Sequence, residues 1–263
     1  MNKVKALLLA AGLGNRLKPL TDEWPKCLMP IGHRPLLDYW LETIYSANIN
    51  DVIVNLHHHS EIVRKFLNRP RFKDKVSYVY EESLLGTAGT LIANKEYFKE
   101  CTTLLVHADN WCQCNFTNFL NFHQKHRPDH CPITMMTFES TTPETCGIVE
   151  TDSEGVVFAI HEKSENPPGI KANGAVYLLE PEIVKWIEKK PETIDFSTEV
   201  LPNFMGHIVT WHNYGIHRDI GALPMLRLAQ SDPKPKSCLQ EIDAWQKKFL
   251  NNPIHQQIFQ TVV

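Results

Sequence analysis

The 263-residue sequence has no long apolar run, and nothing in it approaches the roughly 18 consecutive apolar residues of a membrane-spanning helix. It has no large surplus of either charge. Lysine and arginine number 27 against 30 aspartates and glutamates, a formal net charge of −3. That balance gives no general electrostatic reason to bind a nucleic acid polymer or an anionic membrane. It has no cysteine framework. Seven cysteines is an odd, scattered set, which argues against a disulfide scaffold and fits a reducing cytoplasm. There is no internal repeat and no low-complexity tract. With 43% hydrophobic and 22% charged residues the composition is globular, excluding disorder, collagen and coiled coil as whole-chain readings. Residues 6–11 mimic a short signal core, but Gly12, Gly14, Arg16 and Lys18 follow without a cleavage site.

Two clusters invite a metal reading. Cys112 and Cys114 lie near His107, but a second ligand pair at zinc-like spacing is missing, so a structural role is expected. His57, His58 and His59 follow an apolar run and are expected on a loop or early helix without a metal.

What is present is an alternation of strands and helices. Val4 to Ala10 reads as a strand buried on both faces. A helix fits 36–47, with Leu37, Trp40, Leu41, Ile44 and Tyr45 at helical spacing. Strands follow at 52–54, 76–80 and 104–106, with helices around 62–67 and 88–98. This pattern predicts an α/β fold, a Rossmann-like three-layer sandwich with a mostly parallel central sheet. Residues 132–180 are richer in short strands and turns, which predicts a small antiparallel elaboration. Ligands on such sheets bind beyond the carboxyl ends of the strands, so the loops after Ala10, Tyr80 and Val106 are expected to share one mouth. Residues 231–236 read as a linker, dividing a domain of 1–230 from a helical tail of 231–263. The tail's apolar residues Leu239, Ile242, Trp245 and Leu250 need burial, on the core or in a homodimer contact.

The loop after the first strand, Leu9-Ala10-Ala11-Gly12-Leu13-Gly14-Asn15-Arg16-Leu17, is built from small residues that let a ligand approach the backbone. Arg16 adds a fork of donors suited to phosphate. Gly-x-Gly alone is weak: the third glycine of a dinucleotide fingerprint and the Gly-Lys-Ser/Thr of a P-loop are both missing. A plain tight turn is the competing reading.

The longer string from Leu8 through Thr21, followed by Pro25-Lys26-Cys27-Leu28-Met29-Pro30, resembles the signature of the sugar-1-phosphate nucleotidyltransferases, with Asn15 where Thr or Ser is usual. The resemblance runs to about residue 230. Glu82 to Thr90 resembles the second nucleotide-contacting loop, and Val106-His107-Ala108-Asp109-Asn110 the metal-binding strand end. Cys146 to Glu150 resembles the sugar-contacting segment, Glu162-Lys163 the Glu-Lys motif, and Asn173 to Tyr177 the sugar-site strand with altered spacing. Arg218-Asp219-Ile220-Gly221-Ala222-Leu223 resembles the segment carrying the second metal-binding Asp.

The resemblance implies transfer of a nucleotidyl group from a nucleoside triphosphate to a sugar 1-phosphate, with release of pyrophosphate. Arg16, Lys26 and Lys163 would be catalytic, with Lys163 also holding the sugar phosphate. Ala10, Ala11, Gly12, Gly14, Gly86, Thr87 and Gly89 would line the nucleotide. Gly147, Glu162 and Asn173 would contact the sugar phosphate, and Asp109 and Asp219 would hold Mg²⁺. Leu85 to Gly89 most resembles the guanylyltransferase branch with mannose- and heptose-1-phosphate enzymes, so GTP is favoured. UTP or CTP, with a sugar phosphate or phosphocholine as acceptor, come next. A non-catalytic nucleotide-sugar-binding regulator and a metal-dependent glycosyltransferase remain as other classes. For a bare Asp at a strand end, a turn or helix cap is the plain alternative, and for Lys163, amid mixed charges, a solvated face.

The local charge differs from the average. Residues 1–30 carry five lysines and arginines against Asp22 and Glu23, a net +3 inside a chain of −3. A balanced total therefore hides a few placed cations.

Overall fold

A computed structural model describes residues 3–235 and 242–260. In chain order the first half comprises β1 (Val4–Leu9), α1 (Leu20–Glu23), β2 (Pro30–Ile31), β3 (Arg34–Pro35), α2 (Leu36–Ser46), β4 (Asp51–Leu56), α3 (Ser60–Leu67), β5 (Val76–Tyr80), α4 (Gly86–Ala93), α5 (Lys95–Phe98), β6 (Thr102–His107), β7 (Asn110–Cys112) and α6 (Phe116–Lys125). The second half comprises β8 (Ile133–Glu139), β9 (Gly147–Thr151), β10 (Val157–Glu162), β11 (Lys171–Leu179), α7 (Pro181–Glu188), β12 (Ile208–His212), β13 (His217–Asp219), α8 (Leu223–Ser231), α9 (Ala244–Leu250) and α10 (Ile254–Gln257). The chain adopts the expected α/β class, a mostly parallel central sheet with antiparallel additions.

The described chain divides into two compact units. One comprises residues 3–8, 85–107 and 114–215. Its strands run in the order β10-β9-β11-β6-β1, with β8 alongside β11 and β12 alongside β8. Leu104, Leu105 and Val106 of β6 and Val176, Tyr177 and Leu178 of β11 are fully buried, as an apolar run predicts for a strand covered on both faces. β11 pairs antiparallel with β6, β8 and β9, so the antiparallel part is larger than turn signals suggest. The predicted helix over 88–98 is two helices. At the break, Asn94 Nδ2 donates to Thr90 O at 2.9 Å, the local side-chain bonding that makes Asn a poor helix-interior residue.

The other unit comprises residues 9–84, 108–113, 216–235 and 242–260. Here β4 and β5 pair in parallel, from Val52 opposite Val76 to Leu56 opposite Tyr80. α2 buries Leu37, Trp40, Leu41 and Ile44 on its apolar stripe. β7 and β13 form an antiparallel ribbon that places Asp219 opposite Asn110. The stretch expected as a linker, 231–236, opens on the last residue of α8 and then a structural residue: buried Asp232 accepts from Trp111 Nε1 at 3.1 Å and from Arg218 at 2.7 and 2.8 Å. Of the tail's apolar residues, Leu239 lies outside the described residues and Ile242 is exposed. Trp245 and Leu250 are half-buried, while Phe249, Ile254 and Ile258, which the sequence reading passed over, are buried.

Candidate active site

The loop after β1 is tied to its neighbours by one buried hydrogen-bonded chain. Ala10 N–H donates to Asn55 Oδ1 at 2.6 Å, and Asn55 Nδ2 donates to Glu81 Oε1 at 2.9 Å. Ala108 N–H donates to Leu9 O at 3.0 Å. The segments following β1, β5 and β6 are thus gathered at one place, as expected of a shared mouth. Ala10 and Ala11 are buried. A Cβ on Gly12 would meet nothing within 4 Å, so the fold leaves open space there. Gly14 is different: its φ is +66°, and a Cβ there would lie 2.7 Å from Thr21 Cγ2. Thr21 Oγ1 donates to Gly14 O at 2.9 Å and pins this turn.

Four charged side chains meet within this unit. Lys26, in the short turn Lys26–Leu28, has a side chain only 8% exposed. Its Nζ donates to Asp109 Oδ2 at 2.6 Å and to Asp219 Oδ1 at 3.2 Å. Arg16 Nη2 donates to Asp219 Oδ2 at 2.9 Å. Gly221 N–H also donates to Asp219 Oδ1, at 2.7 Å. A Cβ on Gly221 would lie 2.5 Å from Arg16 Nη2 and 2.7 Å from Asp219 Oδ1, so a side chain there would displace the ends of both. Burial pulls the Lys26 ammonium down, but the Asp109 and Asp219 carboxylates outweigh it and its pKa is raised. Burial pushes Asp219 up, yet Lys26 and Arg16 beside it hold its carboxyl at about 2. Lys26 and Asp219 therefore both stay charged near neutrality.

The donor set fits a hard divalent cation. Two carboxylates from neighbouring strand ends converge on a single ammonium, and Mg²⁺ is typically held by one or two carboxylates with phosphate and water completing its shell. No group of three or more His, Cys, Asp and Glu side chains placed to hold a metal occurs among the described residues. Lys18 pairs at the surface with Asp22 at 3.2 Å, apart from this quartet.

The remaining predicted site residues lie in the other unit. Gly86 has φ +77°, and a Cβ there would fall 2.5 Å from Ile194 O. Ala88 N–H donates to that carbonyl at 2.9 Å. Thr87 Oγ1 accepts from Phe196 N–H at 2.6 Å and donates to Asp195 Oδ2 at 3.3 Å. The 86–89 turn is thus fixed to residues 194–196. A Cβ on Gly89 would touch only Leu85 Cβ, at 3.3 Å.

Gly147 stands opposite Glu162 in the β9–β10 register, and a Cβ on it would lie 2.5 Å from Glu162 Oε1. Burial raises the Glu162 pKa, with Lys163 acting the other way. Lys163 has φ +47°, uncommon for a residue with a side chain, and its N–H donates to Cys146 O at 3.0 Å. Asn173 Nδ2 donates to Tyr177 Oη at 2.7 Å, and its Oδ1 accepts from Ala175 N–H at 2.9 Å. The β11–β8 register breaks between Asn173 and Tyr177, within this motif.

Sequence reasoning missed Asn55, Glu81 and Asp195, and it gave no role of their own to Thr21 and Tyr177, which lie inside its motifs. Asn55 had a signal, being one polar residue inside the apolar run Val52-Ile53-Val54-Asn55-Leu56. The histidine cluster engages backbone: His58 and His59 both contact Thr21 O, at 2.8 and 3.0 Å, and His57 contacts Glu81 O at 2.8 Å. Cys112 is buried in β7 opposite His217, and Cys114 is half-buried.

An α/β sheet whose first loop carries small residues, beside interlocked cations and carboxylates, defines a class of phosphate-handling proteins. The family comparison places the chain within it. The chain belongs to the nucleotidyl transferase family, whose model matches residues 5–232. It is 29% identical over 202 residues to the mannose-1-phosphate guanylyltransferase of Mycobacterium tuberculosis, covering 76% of this chain and 55% of that protein. It is 27% identical over 224 residues to the mannose-1-phosphate guanyltransferase of Aspergillus fumigatus, covering 83% of this chain and 61% of that one. The chain thus spans less than two thirds of these relatives' lengths. HddC from Yersinia pseudotuberculosis, solved in complex with GMP-PN, shares the fold with a TM-score of 0.72 at 22% identity, covering 88% of this chain and 98% of that one.

Proposed function

We propose that the chain transfers a nucleotidyl group, GTP being the favoured donor, to a sugar 1-phosphate. The observation that carries this reading is Lys26 held between Asp109 and Asp219 with Arg16 on the second oxygen of Asp219. Family membership supports the class of reaction, and the guanylyltransferase names of the relatives support GTP.

A phosphate monoester is largely dianionic at neutral pH and needs no general base. Its oxygen attacks the α-phosphorus, the α–β P–O bond breaks, and the electron pair leaves on pyrophosphate. The difficulty is electrostatic, because two anions must meet. Arg16 and Lys26 bind the triphosphate and offset charge at the α-phosphate. The loop of Ala10, Ala11, Gly12 and Gly14, with Gly86, Thr87 and Gly89, receives base and ribose. Lys163 holds the acceptor phosphate in line, while Glu162 and Asn173 hydrogen-bond the sugar beside Gly147. Asp109 and Asp219 would hold Mg²⁺, which supplies charge neutralisation on the phosphates. The setting we propose is a reducing cytoplasm, supported by the six cysteines among the described residues that stand as thiols.

The test is a panel of five nucleoside triphosphates against sugar 1-phosphates and phosphocholine, read by pyrophosphate release with and without Mg²⁺. Turnover with GTP and a sugar 1-phosphate, dependent on the metal, is expected. Turnover with another triphosphate and none with GTP contradicts guanylyl transfer, and binding of a nucleotide sugar without any pyrophosphate release points to a regulator.

A further inference from the structure

The segment that carries Lys26 is held by the C-terminal part of the chain at both its ends. On the near side, Trp24 Nε1 donates to Leu28 O at 2.8 Å, bracketing the Lys26–Leu28 turn. The same indole packs on the rings of Trp245 and Phe249 in α9, at centroid distances of 6.5 and 6.0 Å. Trp245 and Phe249 stack on each other at 5.2 Å and 15°, making a rigid two-ring platform. On the far side, Gln246 Nε2 donates to His33 O at 2.6 Å. α9 is anchored in turn, since Asp243 caps it by accepting from Gln246 N–H at 2.8 Å and takes Arg69 Nε at 2.7 Å. The family match ends at residue 232, so this platform lies outside the matched region.

We propose that α9 positions Lys26 for the reaction, acting through Trp24. The indole has two fixed edges, one on the α9 rings and one on the backbone of the Lys26 turn. Displacing the rings displaces the turn, and with it an ammonium that must sit within hydrogen-bond reach of its partners. Trp24, Trp245 and Phe249 are positioning residues: each acts on Lys26 through another group. The proposal rests on the assignment of Lys26 to the triphosphate made above.

Full-length variants assayed by pyrophosphate release test it. Phe249→Ala is expected to lower kcat about ten- to a hundredfold, the scale of a misplaced catalytic group, with KM for the sugar phosphate unchanged. Phe249→Tyr, which restores the ring, is expected to restore kcat, and Phe259→Ala, at a 63% exposed residue, to leave it unchanged. On a Lys26→Ala background Phe249→Ala is expected to cost nothing more, because the two act through one group. A folded Phe249→Ala protein with wild-type kcat, or the same fold-loss on both backgrounds, overturns the proposal. Should Phe249→Ala fail to fold, Trp24→Phe keeps a ring but removes the N–H to Leu28, and an unchanged kcat there overturns it equally. Normal turnover by Lys26→Ala itself contradicts the assignment of Lys26 and so separates that failure from this one.

Discussion

Lys26 has a side chain that is 8% exposed and keeps its charge only because two carboxylates reach it. A buried ammonium without such partners would shift its pKa and neutralise. Lys26→Ala is therefore expected to lower kcat/KM for pyrophosphate release by about 10²-fold or more, the cost of losing a preorganised donor. A near-normal value in the folded variant would contradict its role. Gly147 makes a separable prediction. A methyl group there would lie 2.5 Å from Glu162 Oε1 and push that carboxylate aside. Gly147→Ala is expected to raise KM for the sugar phosphate several-fold while KM for the triphosphate stays put, as measured by varying each substrate in turn. Much at this scale was legible in the sequence, since Arg16, Lys26, Asp109 and Asp219 belong to ordered motifs. What the sequence concealed was their pairing. The motif assigns Lys26 to phosphate and the aspartates to metal, and only the folded chain brings all of them within ion-pair distance.

At the scale of elements, the short β7–β13 ribbon explains why residues 110 apart in sequence act together. Its register sets Asp219 opposite Asn110, next to Asp109. Short ribbons of this kind leave almost no periodicity to read, whereas the strand at 4–9 was legible because an apolar run fixes it. Asn55 shows the same limit, as its partners Ala10 and Glu81 lie 45 and 26 residues away. Asn55→Leu would remove both bonds and take from the buried Ala10 N–H its acceptor, at a cost of about 1–3 kcal/mol for that buried donor, and a lowered thermal midpoint is the expected readout.

A second element-scale prediction concerns pH. His123 of α6 lies between Thr134 Oγ1 at 2.7 Å and Glu180 Oε1 at 2.9 Å. Burial drives its pKa below the ordinary 6.5, against the pull of Glu180. The unfolded chain therefore takes up this proton at a higher pH than the folded chain. The stability involved is complete above 6.5 and is lost as pH falls below it. Half-buried His255 adds the same sign. The urea midpoint is expected to fall between about pH 7.5 and pH 5.5, and His123→Gln to flatten that fall. Equal midpoints at the two pH values in the unmodified protein would contradict this.

For the whole molecule, the charge count takes on a different meaning. A net −3 gives no reason to expect binding to long polyanions, and it is silent about one triphosphate. The +3 of the first thirty residues is also not a bare anion site, because Arg16 and Lys26 already face Asp109 and Asp219. The tail was legible as helical and in need of burial. Which of its residues would be buried was not, because Phe249 and Ile254 bury themselves through three-dimensional packing that a short, irregular helical pattern does not announce.

The central claim is that the α-phosphoryl group of the triphosphate moves to a sugar phosphate. The most direct measurement follows that phosphorus, using GTP labelled at the α position with a sugar 1-phosphate and Mg²⁺. The account predicts the label in a nucleotide sugar, with unlabelled pyrophosphate released in equal amount. Label found only in GTP, or in GDP released alongside a transferred sugar or phosphate, would contradict it.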